Sequence, residues 1–154
     1  MPKRVSLHLL KKENLFGKIN NMNNTKDILT KYKNIALVGA SKDLKKTSTI
    51  VMKYLQAYGY KVYPVNPTIS GEKILGEHVY GKISEINGPV DIVDVFRPSN
   101  EAIEFANEAI KIKAKVLWLQ LNIKNPKAKK IAEANNVIYI EDKCTKIEFE
   151  KYLI

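Results

Sequence analysis

The feature that most constrains this chain is a repeated alternation of short, almost unbroken apolar runs with longer amphipathic stretches. The runs occupy residues 35–38, 62–65, 91–96, 116–119 and 137–140. A strand that is apolar on both faces has to be buried on both, which antiparallel sheets rarely require and parallel sheets flanked by helices do. The intervening stretches have helical periodicity. Val51, Tyr54, Leu55 and Tyr58 recur at i, i+3, i+4 and i+7 before Gly59, a residue suited to a helix C-terminus. Ala102, Phe105, Ala106, Ala109 and Ile110 share one face behind the opening Pro98-Ser99-Asn100-Glu101. Asn125-Pro126 reads as a helix cap followed by proline in the first turn, and Thr145 with Glu148 reads as a capping box. A short helix with Ile28, Leu29 and Tyr32 begins behind Asn24. Residues 78–80 are a candidate short strand and 83–86 a partial helix. The expected fold is α/β, a doubly wound, mostly parallel sheet in a single domain over residues 24–154.

Residues 1–23 do not follow this pattern. Leu7, Leu9, Leu10, Leu15, Phe16 and Ile19 are mixed with Lys3, Arg4, Lys11, Lys12 and Lys18, and the apolar stretch is too short for a secretory signal. Three readings stay open: a disordered basic extension, an amphipathic targeting or surface helix, and an upstream start ahead of Met22. The formal charge is +10 over 154 residues, of which +4 lies in residues 1–21 and the remainder is spread thinly. Such a surface attracts phosphorylated small molecules, anionic lipid or nucleic acid. No apolar run reaches the ~20 residues of a membrane helix, so no membrane association is expected. A single cysteine, Cys144, permits no internal disulfide, which fits a reducing compartment, and the cytoplasm is the expected location.

Parallel sheets bind ligands beyond the carboxyl ends of their strands, where the strand order reverses. That rule selects Gly39-Ala40-Ser41 after the first strand, Asn66-Pro67 after the second and Phe96-Arg97-Pro98 after the third long run. It adds Gln120 and Asn122 after the fourth, and Asp142-Lys143-Cys144 after the last. The reversal is expected between the first strand and the 91–96 strand, so that Gly39–Ser41 faces Phe96–Pro98. Glycine allows close backbone approach, and the helix starting near Thr47 or Ser48 offers free amides to a phosphate. The G-x-G-x-x-G fingerprint is missing, and the second strand ends in Asn66 rather than the acid that holds a ribose diol. With Lys42, Lys45, Lys46 and Arg97 nearby, a more heavily phosphorylated nucleotide fits better than NAD.

The segments IALVGAS, KVYPVNP, ILGEHVYGKISEI, PVDIVDVFR, AKVLWLQL and DKCTKIE stand in the order and spacing of the small CoA-binding Rossmann-like proteins. Those proteins are similar to the nucleotide-binding domain of the succinyl-CoA synthetase α-subunit, and the resemblance covers residues 25–153. It implies a Rossmann-like domain that binds coenzyme A or an acyl-CoA and has no demonstrated reaction of its own. It implies that Gly39, Ala40, Ser41, Lys46 and Ser48 cradle the pyrophosphate, that Asn66, Pro67, Phe96 and Arg97 wall the adenosine and its 3′-phosphate, and that Lys143 and Cys144 lie near the pantetheine arm. Two departures stand out. The family commonly has a histidine where this chain has Phe149, and an apolar residue where it has Thr145.

Each candidate also has a plainer reading. Arg97 could pair with Asp91 or Asp94 instead of a phosphate. Gln120 could bind ligand or cap its strand end. Trp118 reads as core and His78 as a surface residue without a catalytic partner. Cys144, beside Lys143 at a helix start, could be a favoured thiolate forming a mixed disulfide with CoA, or a small buried hydrophobe. With only His8 and His78 in the chain, no catalytic residues and no metal ligands are identified. The leading expectation is a CoA-binding module. The alternatives are a minimal acyl-CoA ligase subunit or NAD(P)-dependent oxidoreductase acting with a partner chain, and a nucleic-acid binder, for which no groove-reading helix or base-stacking motif is found. A homo-oligomer is compatible with all of these.

Overall fold

A computed structural model describes residues 24–154; the readings made for residues 1–23 lie outside the described residues. Five strands, β1 (Asn34–Val38), β2 (Lys61–Val65), β5 (Ile92–Val95), β6 (Val116–Leu119) and β7 (Ile138–Ile140), form a parallel sheet in the order β2-β1-β5-β6-β7. A short antiparallel hairpin, β3 (Lys73–Ile74) with β4 (Glu77–His78), sits beside it. Among the described residues the α-helices are α1 (Thr25–Lys31), α2 (Thr47–Ala57), α3 (Ala102–Lys111), α4 (Pro126–Ala134) and α5 (Thr145–Leu153).

Side-chain alternation along each strand decides which helices it meets. Ile35, Leu37, Ile92, Trp118, Ile138 and Ile140 enter one core with Ile28 and Leu29 of α1, Val51, Met52 and Leu55 of α2, and Phe149 of α5. Ala36, Val38, Val93, Val95, Leu117, Leu119 and Tyr139 enter the other, against the alanine faces of α3 and α4. Each core aliphatic of this kind contributes about 1.5–3 kcal/mol through burial. The doubly wound architecture expected from the alternation is therefore the observed one.

Two local expectations are revised. The candidate strand at 78–80 joins the main sheet only through Tyr80, in a single parallel bridge to Val65. There Tyr80 N–H donates to the Pro64 carbonyl and Asn66 N–H donates to the Tyr80 carbonyl (3.0 and 2.9 Å). Proline is accommodated because this flank of β2 carries only a rudimentary neighbour. Counting that bridge, the chain order across the sheet is that of a Rossmann fold, with the third strand reduced to one residue. The capping box at Thr145 and Glu148 does not form. Cys144 is the N-cap, without a side-chain cap bond, and both expected box residues are drawn into tertiary contacts. Thr145 reaches Asp94, and Glu148 accepts a hydrogen bond from Thr25 of α1 at 2.9 Å.

Candidate functional site

The sheet order reverses between β1 and β5. The chain leaves β1 toward α2 on one face and leaves β5 toward α3 on the other, which opens a crevice above the carboxyl ends of both strands. Gly39 stands at its floor with φ +89°, and a Cβ there would meet the Phe96 carbonyl oxygen at 2.9 Å and Arg97 Cδ at 3.2 Å. Only glycine permits both this backbone conformation and this approach. The loops are tied together. The amides of Gly39 and Ala40 both donate to the Val65 carbonyl (3.1 and 3.2 Å), and the Phe96 amide donates to the Val38 carbonyl at 2.9 Å. Asn66 completes the floor: its Nδ2 donates to the Ala40 carbonyl at 2.8 Å, and its Oδ1 accepts from the Thr68 amide at 2.9 Å.

Those bonds change the expected roles within the glycine turn. The Gly39 and Ala40 amides already have acceptors, so they hold the loop in shape rather than face a ligand. The donors left over belong to α2. Its ladder begins with the Thr49 and Ile50 amides, both donating to the Lys46 carbonyl. The amides of Thr47 and Ser48 precede that ladder. The N-cap, Lys46, supplies no side-chain acceptor, and the first turn contains no acidic residue. Asp43, the nearest upstream acid, accepts from the Lys45 amide at 2.9 Å. Lys46 makes no ion pair among the described residues. A helix start of this kind attracts an anion through both its free amides and its dipole.

This helix start opens on a cleft of about 790 Å³ that is lined by Gly39, Ala40, Ser41, Lys46, Ser48, Asn66, Pro67, Phe96 and Arg97. Nine of the twelve residues expected at the site therefore meet in one cavity. Arg97 takes neither partner anticipated for it. Asp91 accepts from the amide and side chain of Asn34, and the Arg97 guanidinium instead engages Glu101 at 3.0 Å.

Sequence reading did not anticipate the far wall, formed by Lys82, Ile83, Glu101, Glu104, Phe105 and Glu108. Glu101, Glu104 and Glu108 lie one and two turns apart, a spacing also expected of a solvated helix face. Their meaning depends on the opposing residues. Burial, followed by the neighbouring Glu104, raises the Glu108 carboxyl above its ordinary value.

Gln120, Lys143 and Cys144 do not line this cleft. Gln120 is buried, and its Nε2 donates to Asp94 Oδ1 at 2.5 Å and to Thr145 Oγ1 at 3.2 Å. The Lys143 carbonyl accepts from the indole of Trp118 at 2.8 Å, while its ammonium lies 3.9 Å from Glu148. Cys144 is buried, and burial raises its thiol above the usual value despite hydrogen bonds from the Ile147 and Lys146 amides. The thiolate-favouring environment anticipated from Lys143 and the helix start is thus outweighed by desolvation. Asp94, wholly buried on β5, is pushed up to about 7 by desolvation, with the Gln120 and Thr145 hydrogen bonds acting in the opposite direction.

Among the described residues no group of His, Cys, Asp and Glu could hold a metal ion, and no helix is long and apolar enough to cross a membrane. Residues 33–150 match the model of the CoA binding domain family. The chain is 38% identical over 122 residues to the uncharacterized protein YneT of Bacillus subtilis (strain 168), covering 79% of this chain and 89% of that one. A solved structure, a hypothetical protein from Pyrococcus horikoshii OT3, superposes with a TM-score of 0.79 at 38% identity and covers 90% of this chain and 92% of its own. A 65-residue stretch, 42% of this chain, is 43% identical to the Pyrococcus furiosus acetate–CoA ligase (ADP-forming) II α-subunit but covers only 14% of that subunit. The chain belongs to the CoA binding domain family.

Proposed function

We propose that this protein binds coenzyme A or an acyl-CoA in the cleft between β1 and β5. The observation that carries the reading is the start of α2, where Lys46, Thr47 and Ser48 line a cavity of nucleotide size: two backbone amides outside the helical ladder, a lysine without an ion pair among the described residues, and no acidic residue in the first turn. The pyrophosphate is assigned to the Thr47 and Ser48 amides with Lys46. The Gly39-Ala40-Ser41 turn forms the floor beneath it, and the absence of a Cβ at Gly39 keeps that floor open. Asn66 and Pro67 on one side and Phe96 on the other take the adenosine, with Arg97 on its 3′-phosphate. The protein's own work in this reading is to bind and orient; the thioester chemistry of a bound acyl-CoA belongs to the ligand. Gln120, Lys143 and Cys144 are left out of the proposed contacts because they do not line this cleft.

Isothermal titration with CoA, dephospho-CoA and NAD tests the proposal. CoA is expected to bind best, with dephospho-CoA weaker by about tenfold, the scale of one charge-assisted hydrogen-bonded contact. Binding of NAD alone would defeat the reading.

A further inference from the structure

The Arg97 guanidinium does not project freely into the cleft. Its Nε donates to Glu101 Oε2 at 3.1 Å and its Nη2 to Glu101 Oε1 at 3.3 Å, so the side-on edge of the guanidinium is fully used. The opposite edge, with Nη1 and the second Nη2 proton, is not used by Glu101. A planar guanidinium with one edge paired can present the other to a second oxyanion. The Arg97 stem runs over Gly39, where a Cβ would stand only 3.2 Å from Cδ, so the glycine makes room for this placement. Glu101 itself is the residue from which α3 springs, so its backbone is set by a helix and its carboxylate lies in a favourable helix field. Both side chains line the cleft.

We infer that Glu101 is a positioning residue: it holds one edge of Arg97 so that the other edge faces the ligand phosphate. The inference rests on the CoA reading above and assigns this carboxylate a role that the charge balance alone would not suggest. An anion in a phosphate site ordinarily weakens binding. Here its two hydrogen bonds remove the rotamer freedom that a half-exposed arginine would otherwise lose on binding.

The test is a double-mutant cycle read by titration calorimetry with CoA and with dephospho-CoA. Wild-type binding of CoA, weakened by Arg97→Ala, establishes the site. Against that background Glu101→Gln is expected to weaken CoA about fivefold while leaving dephospho-CoA nearly unchanged, and to have no further effect when Arg97 is already alanine. Unchanged thermal unfolding of each variant separates this outcome from a loss of fold. Tighter CoA binding by Glu101→Gln would show that the carboxylate competes with the phosphate, and would overturn the inference while leaving the CoA reading intact. Equal weakening of both ligands, or equal effects with and without Arg97, would overturn it as well. Failure of the wild-type protein to bind CoA would remove both.

Discussion

The two halves of the sheet's carboxyl rim use their hydrogen-bonding groups in opposite ways. At the β6–β7 end the buried polar side chains bond within the protein. Asp94, Gln120 and Thr145 close on one another, the Trp118 indole is held by the Lys143 carbonyl, and the Asn122 amide donates to Asp142 Oδ1 at 2.7 Å. At the β1–β5 crevice the same kind of strand-end loop leaves the Thr47 and Ser48 amides and the Lys46 ammonium without partners among the described residues. The difference teaches that position at a strand end does not by itself make a binding group. What distinguishes a site is polar capacity left unsatisfied, and here that occurs at the reversal of strand order, where α2 and α3 diverge. Within the crevice, Gly39 and Ala40 show the same principle at smaller scale, because their amides serve the loop.

The comparison can be broken most severely at Gly39. Gly39→Ala would force a Cβ onto the Phe96 carbonyl in a left-handed backbone, costing about 2–4 kcal/mol by combined strain and overpacking. Gly71 has the same φ of +89° with nothing within 4 Å of a built Cβ, so Gly71→Ala should cost only about 1 kcal/mol. Chemical denaturation of the two variants measures the gap, and equal losses would mean that the loop approach is unimportant. CoA binding should also fall in the Gly39 variant and not in the Gly71 one.

The closed half is probed through pH. The folded-state pKa of Asp94 is raised to about 7 from an ordinary 3.8. Between those values the folded protein holds a proton that the unfolded chain has released. This contribution to stability is therefore fully present below pH 4 and is lost as pH rises through 7. Asp94→Asn, which mimics the protonated carboxyl in its contacts with Gln120 and Thr145, should abolish that decline and be more stable than wild type at pH 8 by on the order of 1–2 kcal/mol. Urea unfolding at pH 5 and pH 8 decides it, and parallel slopes for the two proteins would sink the argument.

The open half responds in binding rather than stability. Lys46→Ala should weaken CoA about fivefold, as expected for one exposed charge–phosphate contact, with the unfolding midpoint unchanged. Calorimetry together with thermal unfolding makes the check, and a stability loss would show that Lys46 has an internal role. The smallest effect is expected at Cys144. Its buried, raised thiol should react with CoA disulfide far more slowly than a free cysteine at pH 8, as read by mass spectrometry of the native protein. Rapid adduct formation would mean that this end of the rim opens.

Several parts of the site could be read directly from residue order. Gly39 follows an apolar run and precedes a helix; Asn66-Pro67 and Phe96-Arg97 follow runs of the same kind. Topological rules place such loops together at a strand-order reversal before any coordinates exist. The far wall was not legible, because Glu101, Glu104 and Glu108 have the spacing of an ordinary solvated face. Gln120 and Cys144 occupy loop positions formally equivalent to those of the cleft residues, and nothing in one dimension separates them. The capping box illustrates the same limit. Thr145 and Glu148 satisfy a local motif, but a wholly buried carboxylate on β5 and a hydroxyl on α1 compete for them.

The sequence by itself determined the fold class, the sheet's two buried faces and the rim that carries the candidate site. All three follow from periodicity, which acts over neighbouring residues. Only the tertiary structure decided which rim loops keep free donors, that Arg97 turns to Glu101, and that desolvation outweighs the helix field at Cys144. These outcomes depend on burial and on partners far apart in the chain, and neither has a signature in local spacing.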